Sequence, residues 1–282
     1  MLGALWLSGC GAPDASQDWP APSPALWEAT APEGQRAFLF GTIHALPDGV
    51  NWRSSALEEA IAQSDMLMVE IADLDAPNDS ADAFERYASG RNLAALLERV
   101  PANTRAEVAE LLDAADRTEA DFHHIDSWAA ALILGNAVRC SDLSNGVDRA
   151  LLREFEAVSA LESFAAQFAI FDTLPADAQA DLLVTVAKER DCRAGEARMR
   201  DWVTGNTDNM LASVEDGFRG NANLRNALLV HRNERFAQRL ARYQRQYADE
   251  TILLAIGAAH LPGPGGVAAL LEREGYTVRR IQ

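Results

Sequence analysis

Two tetrapeptides of one pattern stand near opposite ends of the chain, Gly41-Thr42-Ile43-His44 and Gly257-Ala258-Ala259-His260. They hold two of the five histidines in the sequence. Each follows an apolar run of strand length and composition, Ala37 to Phe40 in the first case and Thr251 to Ile256 in the second. A glycine ending a strand permits a sharp turn or a close backbone approach, and a histidine three residues on can project over the carboxyl edge of a sheet. That edge is where parallel α/β sheets bind ligands. A third apolar run, Met66 to Val69, ends at Glu70, which brings a carboxylate to the same edge if the strands are parallel. Two imidazoles and a carboxylate suit a divalent cation with an open position for water, and so metal-assisted hydrolysis. His44, His260 and Glu70 are therefore the expected metal ligands, with Glu70 able to act instead as the base. Mn, Co and Zn all stay open, because the order of affinities does not choose the ion.

A further charge falls on an apolar stripe. In a helix predicted over Asn223 to Tyr247, Leu228, Arg232, Phe236 and Leu240 recur every four residues, so Arg232 needs a partner. Either it enters the site, pairing Glu70 or holding a substrate carbonyl or carboxylate, or it makes a structural salt bridge, for instance to Asp148. Arg232 and its neighbour Asn233 join Glu70 as candidate catalytic residues. His231, beside the stripe, is expected to pack on the helix, and His123-His124 to lie in a structural loop. The Pro262 to Gly266 turn either holds a negative group on its amides or is simply a tight connection. The chain has no Gly-x-Ser-x-Gly elbow, no His-Glu-x-x-His helix and no Walker loop.

The elements that must position these residues come from both ends of the sequence. Ser55 to Gln63 has helical spacing between two strand-like runs, an order that favours parallel strands. Gly266 to Glu274 reads as a helix and Tyr276 to Ile281 as a final strand. Between them, Ala81 to Ala248 reads as a large helical insertion. The expected fold is α/β, with α+β as the alternative: a central sheet built from N- and C-terminal segments, all within one domain over 26–282. At 282 residues and 48% hydrophobic, the chain can bury a sizeable core. A formal net charge of -17 repels a phosphate backbone, so no nucleic-acid partner is expected. No apolar run reaches the roughly 20 residues that cross a bilayer.

The first residues carry a different signal. Leu7-Ser8-Gly9-Cys10, after an apolar stretch from Leu2, looks like a lipobox, although no Lys or Arg precedes it and the stretch is short. Residues 1–10 read as a lipoprotein signal with Cys10 lipidated, against the alternative of an apolar tail with an incidental cysteine. Residues 11–25, rich in Pro, Ala and Ser, read as a flexible tether. That places the protein on the periplasmic side of a bacterial membrane, touching it through the lipid anchor only. Cys140 and Cys192 remain, either bridged or two separate buried thiols.

At these residues the chain resembles the TraB/GumN family, which includes the pheromone-shutdown proteins and the Tiki-type metalloproteases that clip secreted Wnt ligands. Phe38 to His44 is similar to its N-terminal motif, Val69-Glu70 to its acidic one, and Ile256 to Gly263 with Gly265-Gly266 to its C-terminal one. Gly146-Val147-Asp148 and Arg232-Asn233 fit the pattern in order. Where the family continues through Gly-Leu-Glu-Thr, this chain has Ala160-Leu161-Glu162-Ser163, and no role is carried over onto Glu162. The resemblance covers about 26–281. It implies an α/β fold with a helical insertion, and a divalent-metal-dependent peptidase or related hydrolase acting on a peptide or protein through His44, Glu70 and His260. Two alternatives stay open: an esterase-like enzyme using His and Glu without metal, and a non-catalytic lipoprotein carrying haem or another ligand. Nothing in the sequence indicates an oligomeric state.

Overall fold

The computed structural model describes residues 19–74, 77–90 and 92–282. Cys10 and the signal expected around it lie outside the described residues. The tether expected over 11–25 ends earlier than its composition suggests. The Ser23 amide donates to the Val203 carbonyl at 2.7 Å, and Ala25 is buried.

Six strands form one mixed sheet: β1 (Leu26–Thr30), β2 (Arg36–Thr42), β3 (Met66–Val69), β4 (Val158–Ala160), β5 (Ile252–Gly257) and β6 (Thr277–Arg280). Their order across the sheet is β4-β3-β5-β2-β1-β6. The four strands β4, β3, β5 and β2 run parallel, while β1 pairs antiparallel with β2 and with β6. The fold is therefore α/β, as expected, with β1 and β6, from opposite ends of the chain, extending one side through antiparallel pairings. β2 and β3 are parallel but not adjacent, because β5 from the far end of the chain is inserted between them.

The strands are apolar almost continuously because both faces are covered. One face packs Leu39, Met68, Leu254 and Ile256 against Phe236, Leu240, Val267 and Leu271. The other packs Phe38, Phe40, Leu67 and Leu253 against Trp52, Leu57, Val147, Leu151 and Trp202. Leu57 belongs to the helix Ser55–Ala62, whose start is fixed by Ser54 accepting from the Leu57 amide at 3.2 Å. No helix among the described residues is long and apolar enough to cross a membrane.

The segment 81–248 is mostly helical, and part of it builds its own core from Val108, Leu111, Leu134, Leu183 and Val184. It is not one continuous insertion, however. Val147–Leu152 and β4 return to the sheet in its midst, so the sheet draws on the middle of the chain as well as its ends. Three residues of strand are too few to register as periodicity. Cys140 and Cys192 are bridged, with Cα atoms 5.6 Å apart, which ties the loop after helix Ser127–Ala137 to the start of helix Cys192–Val203.

Candidate active site

Register sets the site. Thr42 lies opposite Gly257 and Val69 opposite Ala255, so β2, β3 and β5 end at nearly the same level. β4 ends there too, with the Glu162 amide donating to the Glu70 carbonyl at 2.8 Å. His44, Glu70, Arg232 and His260 all line one cleft of about 690 Å³ above this edge. The sequence-predicted ligands are thus brought to one place.

Each glycine of the paired motifs has a close neighbour. A Cβ on Gly41 would stand 2.8 Å from the Ala258 Cα, so the two motifs touch through it; a Cβ on Gly257 would stand 3.0 Å from a Glu70 carboxylate oxygen. A third glycine, Gly146, presses against the His44 carbonyl, which a Cβ there would meet at 2.4 Å. The Val147 amide then donates to the Ile43 carbonyl at 3.0 Å, and this contact delivers Asp148 to the site.

Asp148 is buried and serves two partners. One carboxylate oxygen accepts from the Thr42 hydroxyl at 2.6 Å, and the other lies 2.8 Å from His44 Nδ1. His44 stands at the open mouth of the cleft, its side chain 64% exposed. The bond to Asp148 outweighs the partial loss of hydration at the cleft wall and raises the His44 pKa above its ordinary value. This pairing also settles the alternative for Arg232: Asp148 is not its partner.

Arg232 instead lies between two other carboxylates. Its Nη2 donates to Glu70 Oε2, and its Nε and Nη2 donate to Glu162 Oε2 at 3.0 and 2.8 Å. It also lies over the Phe236 ring, 5.2 Å from the centroid. The helix expected over Asn223 to Tyr247 is present, but a π turn at Asn226–Val230 widens it just before Arg232. Glu162, to which sequence reasoning gave no role, is thus a member of the site; so is Gln167, whose amide lies 3.3 Å from both Glu70 and Glu162.

Glu70 is held as an anion. Burial pushes its carboxyl up, but the charges of His260 when protonated, Arg232 and His44, with the Gly257 amide at 2.7 Å, outweigh it and bring it down to about 2.

His260, 5% exposed, is packed edge-on against Phe236. Its Nδ1 lies 2.5 Å from Asn233 Oδ1, and the Asn233 amide nitrogen donates to the Gly265 carbonyl at 2.8 Å. That chain of bonds fixes the tautomer: His260 carries its proton on Nδ1, and Nε2 faces the cleft, 3.3 Å from Arg232 Nη1 and 3.7 Å from Glu70 Oε1. Asn233 is therefore a positioning residue for His260 rather than a catalytic one. The Pro262–Gly266 turn is its anchor.

Burial dominates at His260 and lowers its pKa to about 4, so the ring is neutral at pH 7. Its unfolded counterpart titrates near 6.5, so between those values the unfolded chain binds a proton that the folded chain does not. Stability is expected to fall by roughly 2–3 kcal/mol as pH drops through this window. Urea midpoints measured from pH 7 to 4 check this, and the slope should flatten in His260→Gln.

Two other expectations resolve simply. His231 is exposed rather than packed, because it lies on the solvent side of the helix, and His123-His124 occupy an exposed turn away from the cleft.

A family model described as TraB/PrgY/gumN family matches residues 25–280, nearly the whole chain, and the protein belongs to that family. A search of curated proteins and a search of solved structures each found no match.

Proposed function

We propose that this member of the TraB/PrgY/gumN family is a hydrolase of peptide-type acyl bonds, working at the strand edge through His44, His260, Glu70 and Arg232. One observation carries the reading. Two imidazoles share a cleft with an ionised carboxylate, and each is tied at Nδ1 by an oxygen acceptor, which leaves its Nε2 for the cleft. The Cys140–Cys192 bridge adds support for an oxidising compartment, in keeping with export and a lipid anchor at Cys10.

The donor set fits a divalent cation. An imidazole held at its outer nitrogen by a carboxylate or amide oxygen is the usual outer-shell arrangement of metal-ligating histidines, and Glu70 adds an anionic oxygen. His44, His260 and Glu70 would hold the ion, which when bound supplies Lewis-acid polarisation and a low-pKa water. As the side chains stand, no three His, Cys, Asp or Glu among the described residues converge tightly enough to chelate it. Arg232 donates to Glu70 Oε2 and lies 3.3 Å from His260 Nε2, engaging lone pairs that an ion would need, so it would have to withdraw. Asp148 and Asn233 would keep both rings oriented, and the guanidinium would then steady negative charge on the substrate oxygen.

The present position of Arg232 favours a second reading without an ion. Neutral His260 accepts a proton at Nε2 from the attacking water. His44, whose protonated form Asp148 favours, gives a proton to the leaving amine or alkoxide. Arg232 already lies beside the base and steadies the oxyanion.

Hydrolysis of a fluorogenic peptide and ester panel before and after exhaustive chelation separates the two. Loss of at least 100-fold, restored by Mn, Co or Zn, is the expected result for the metal-dependent reaction. Survival of the full rate assigns the second reading, and absence of turnover on every substrate with every ion removes both.

A further inference from the structure

The cleft extends well beyond the strand edge. Its outer part is walled by the half-buried apolar side chains of Val138, Val186, Met199 and Met210 and reaches the Cys140–Cys192 bridge. Methionine walls adapt to apolar side chains of varied shape. Four arginines line the cleft, and three have carboxylates beside them: Arg190 pairs with Glu110, Arg198 lies 3.8 Å from Glu189, and Arg232 holds Glu70 and Glu162. The fourth, Arg139, has no hydrogen-bond or ion-pair partner among the described residues. Arg139 is exposed at the cleft wall, where partial loss of hydration lowers its pKa and no carboxylate opposes the shift. Arg139 thus leaves its guanidinium free for a ligand's anionic group, in a cleft whose lining also carries Glu189, Asp191 and Asp201.

The position of Arg139 is fixed relative to the reacting groups. The adjacent Cys140 is bridged to Cys192, which begins the helix Cys192–Val203. Near the other end of that helix, Trp202 Nε1 donates to the Gly41 carbonyl at 2.8 Å, at the foot of the first Gly-x-x-His motif. From Cys192 to Trp202 the helix rises about 15 Å, the reach of roughly four to five residues of extended peptide.

Resting on the hydrolase reading of the inner site, we propose that the outer cleft is a substrate subsite in which Arg139 binds a carboxylate, with an apolar side chain of the same peptide lodged against Val138, Val186, Met199 and Met210. The preferred substrate is an extended peptide carrying that carboxylate four or five residues from the bond to be cut. A chain terminus and an acidic side chain present the same group, and a planar guanidinium accepts either through paired hydrogen bonds.

The test is fluorescence anisotropy on the full chain, using labelled heptapeptides of leucine and alanine that differ only at the last position. One ends in a free carboxylate, one in a carboxamide, one in glutamate carboxamide and one in lysine carboxamide. At least tenfold tighter binding of a carboxylate-bearing peptide over the carboxamide and lysine peptides is expected. The free acid alone assigns a chain terminus; tight binding of the glutamate peptide as well admits a side chain. Arg139→Gln should abolish the preference, and Arg193→Gln, on the helix Cys192–Val203 beside the bridge but outside the cleft lining, should leave it intact. Equal binding of all four peptides, no binding at millimolar concentration, or a preference that survives Arg139→Gln overturns the proposal. Because binding is read directly, a carboxylate preference without turnover would remove the hydrolase reading and keep the subsite, whereas turnover without the preference would do the reverse.

Discussion

Replacing Arg232 by methionine is expected to destabilise the fold by about 3–5 kcal/mol, the usual effect of removing one partner from a buried ion pair. The guanidinium, 13% exposed, is the counter-charge of Glu70 and Glu162, whose side chains are 9% and 5% exposed. Methionine fills much of the volume but loses the cation–π contact with Phe236 and leaves two carboxylates facing each other. Arg235 reaches Glu162 at 3.1 Å from a more exposed position and cannot serve Glu70 as well. Relief comes only through protonating one acid, so the loss should shrink as pH falls toward 4, the range in which such an unpaired carboxyl takes up a proton. Arg232→Lys keeps the charge without the planar fork and should fall between the two. Urea midpoints of the three proteins at pH 7 and pH 4.5 check the order, and a methionine variant as stable as the parent would remove the ion network from the account.

Glu70→Gln is expected to act mainly on the reaction: a loss of 10²–10⁴-fold in kcat/KM, the range associated with losing a proton-transfer group or a fixed charge in an active site, alongside a loss of the stability that the ionised carboxylate supplies at pH 7. Glutamine has nearly the same shape and its oxygen can still accept from the Gly257 amide, but its NH2 then faces two donors, Arg232 Nη2 and Gln167 Nε2, so those side chains must shift. Arg232 stays neutralised by Glu162, so no buried charge is orphaned. What disappears is the negative charge beside His260 Nε2, which either reaction needs as a ligand or as a partner for the protonated base. Kinetics on the preferred peptide, with the unfolding midpoint measured alongside, separate a chemical role from a structural one.

Much of this arrangement was legible in the sequence because its determinants are local. A glycine and a histidine three apart after an apolar run announce a strand exit, and the run Met66 to Val69 places Glu70 by the same logic. The periodicity around Arg232 correctly demanded a partner for it, and the sheet's assembly from both chain ends followed from where the apolar runs lie. The choice of partner did not follow, because pairing depends on register across distant segments. Asp148 reaches His44 only because Gly146 lets two backbones touch, and Glu162 reaches Arg232 only because a three-residue strand, too short for any periodic signal, extends the sheet beside β3. Asn233 illustrates a third limit: next to Arg232 in sequence, it faces a different neighbour and orients His260 from beneath. Of the two demands open for a strand-ending glycine, a sharp turn or a close approach, Gly41 meets the second, and Gly146, outside the paired motifs, does the same.

The central claim is that His44 and His260, separated by most of the chain, act in one centre. The most direct measurement is a double-mutant cycle on kcat/KM for the preferred peptide, with His44→Ala, His260→Ala and the combination. Groups that act as a unit are strongly non-additive. Each single replacement is predicted to cost at least 100-fold, and the double variant to be no slower than the slower single. Two losses that multiply independently, or a single variant that keeps the parent rate, would contradict a shared centre.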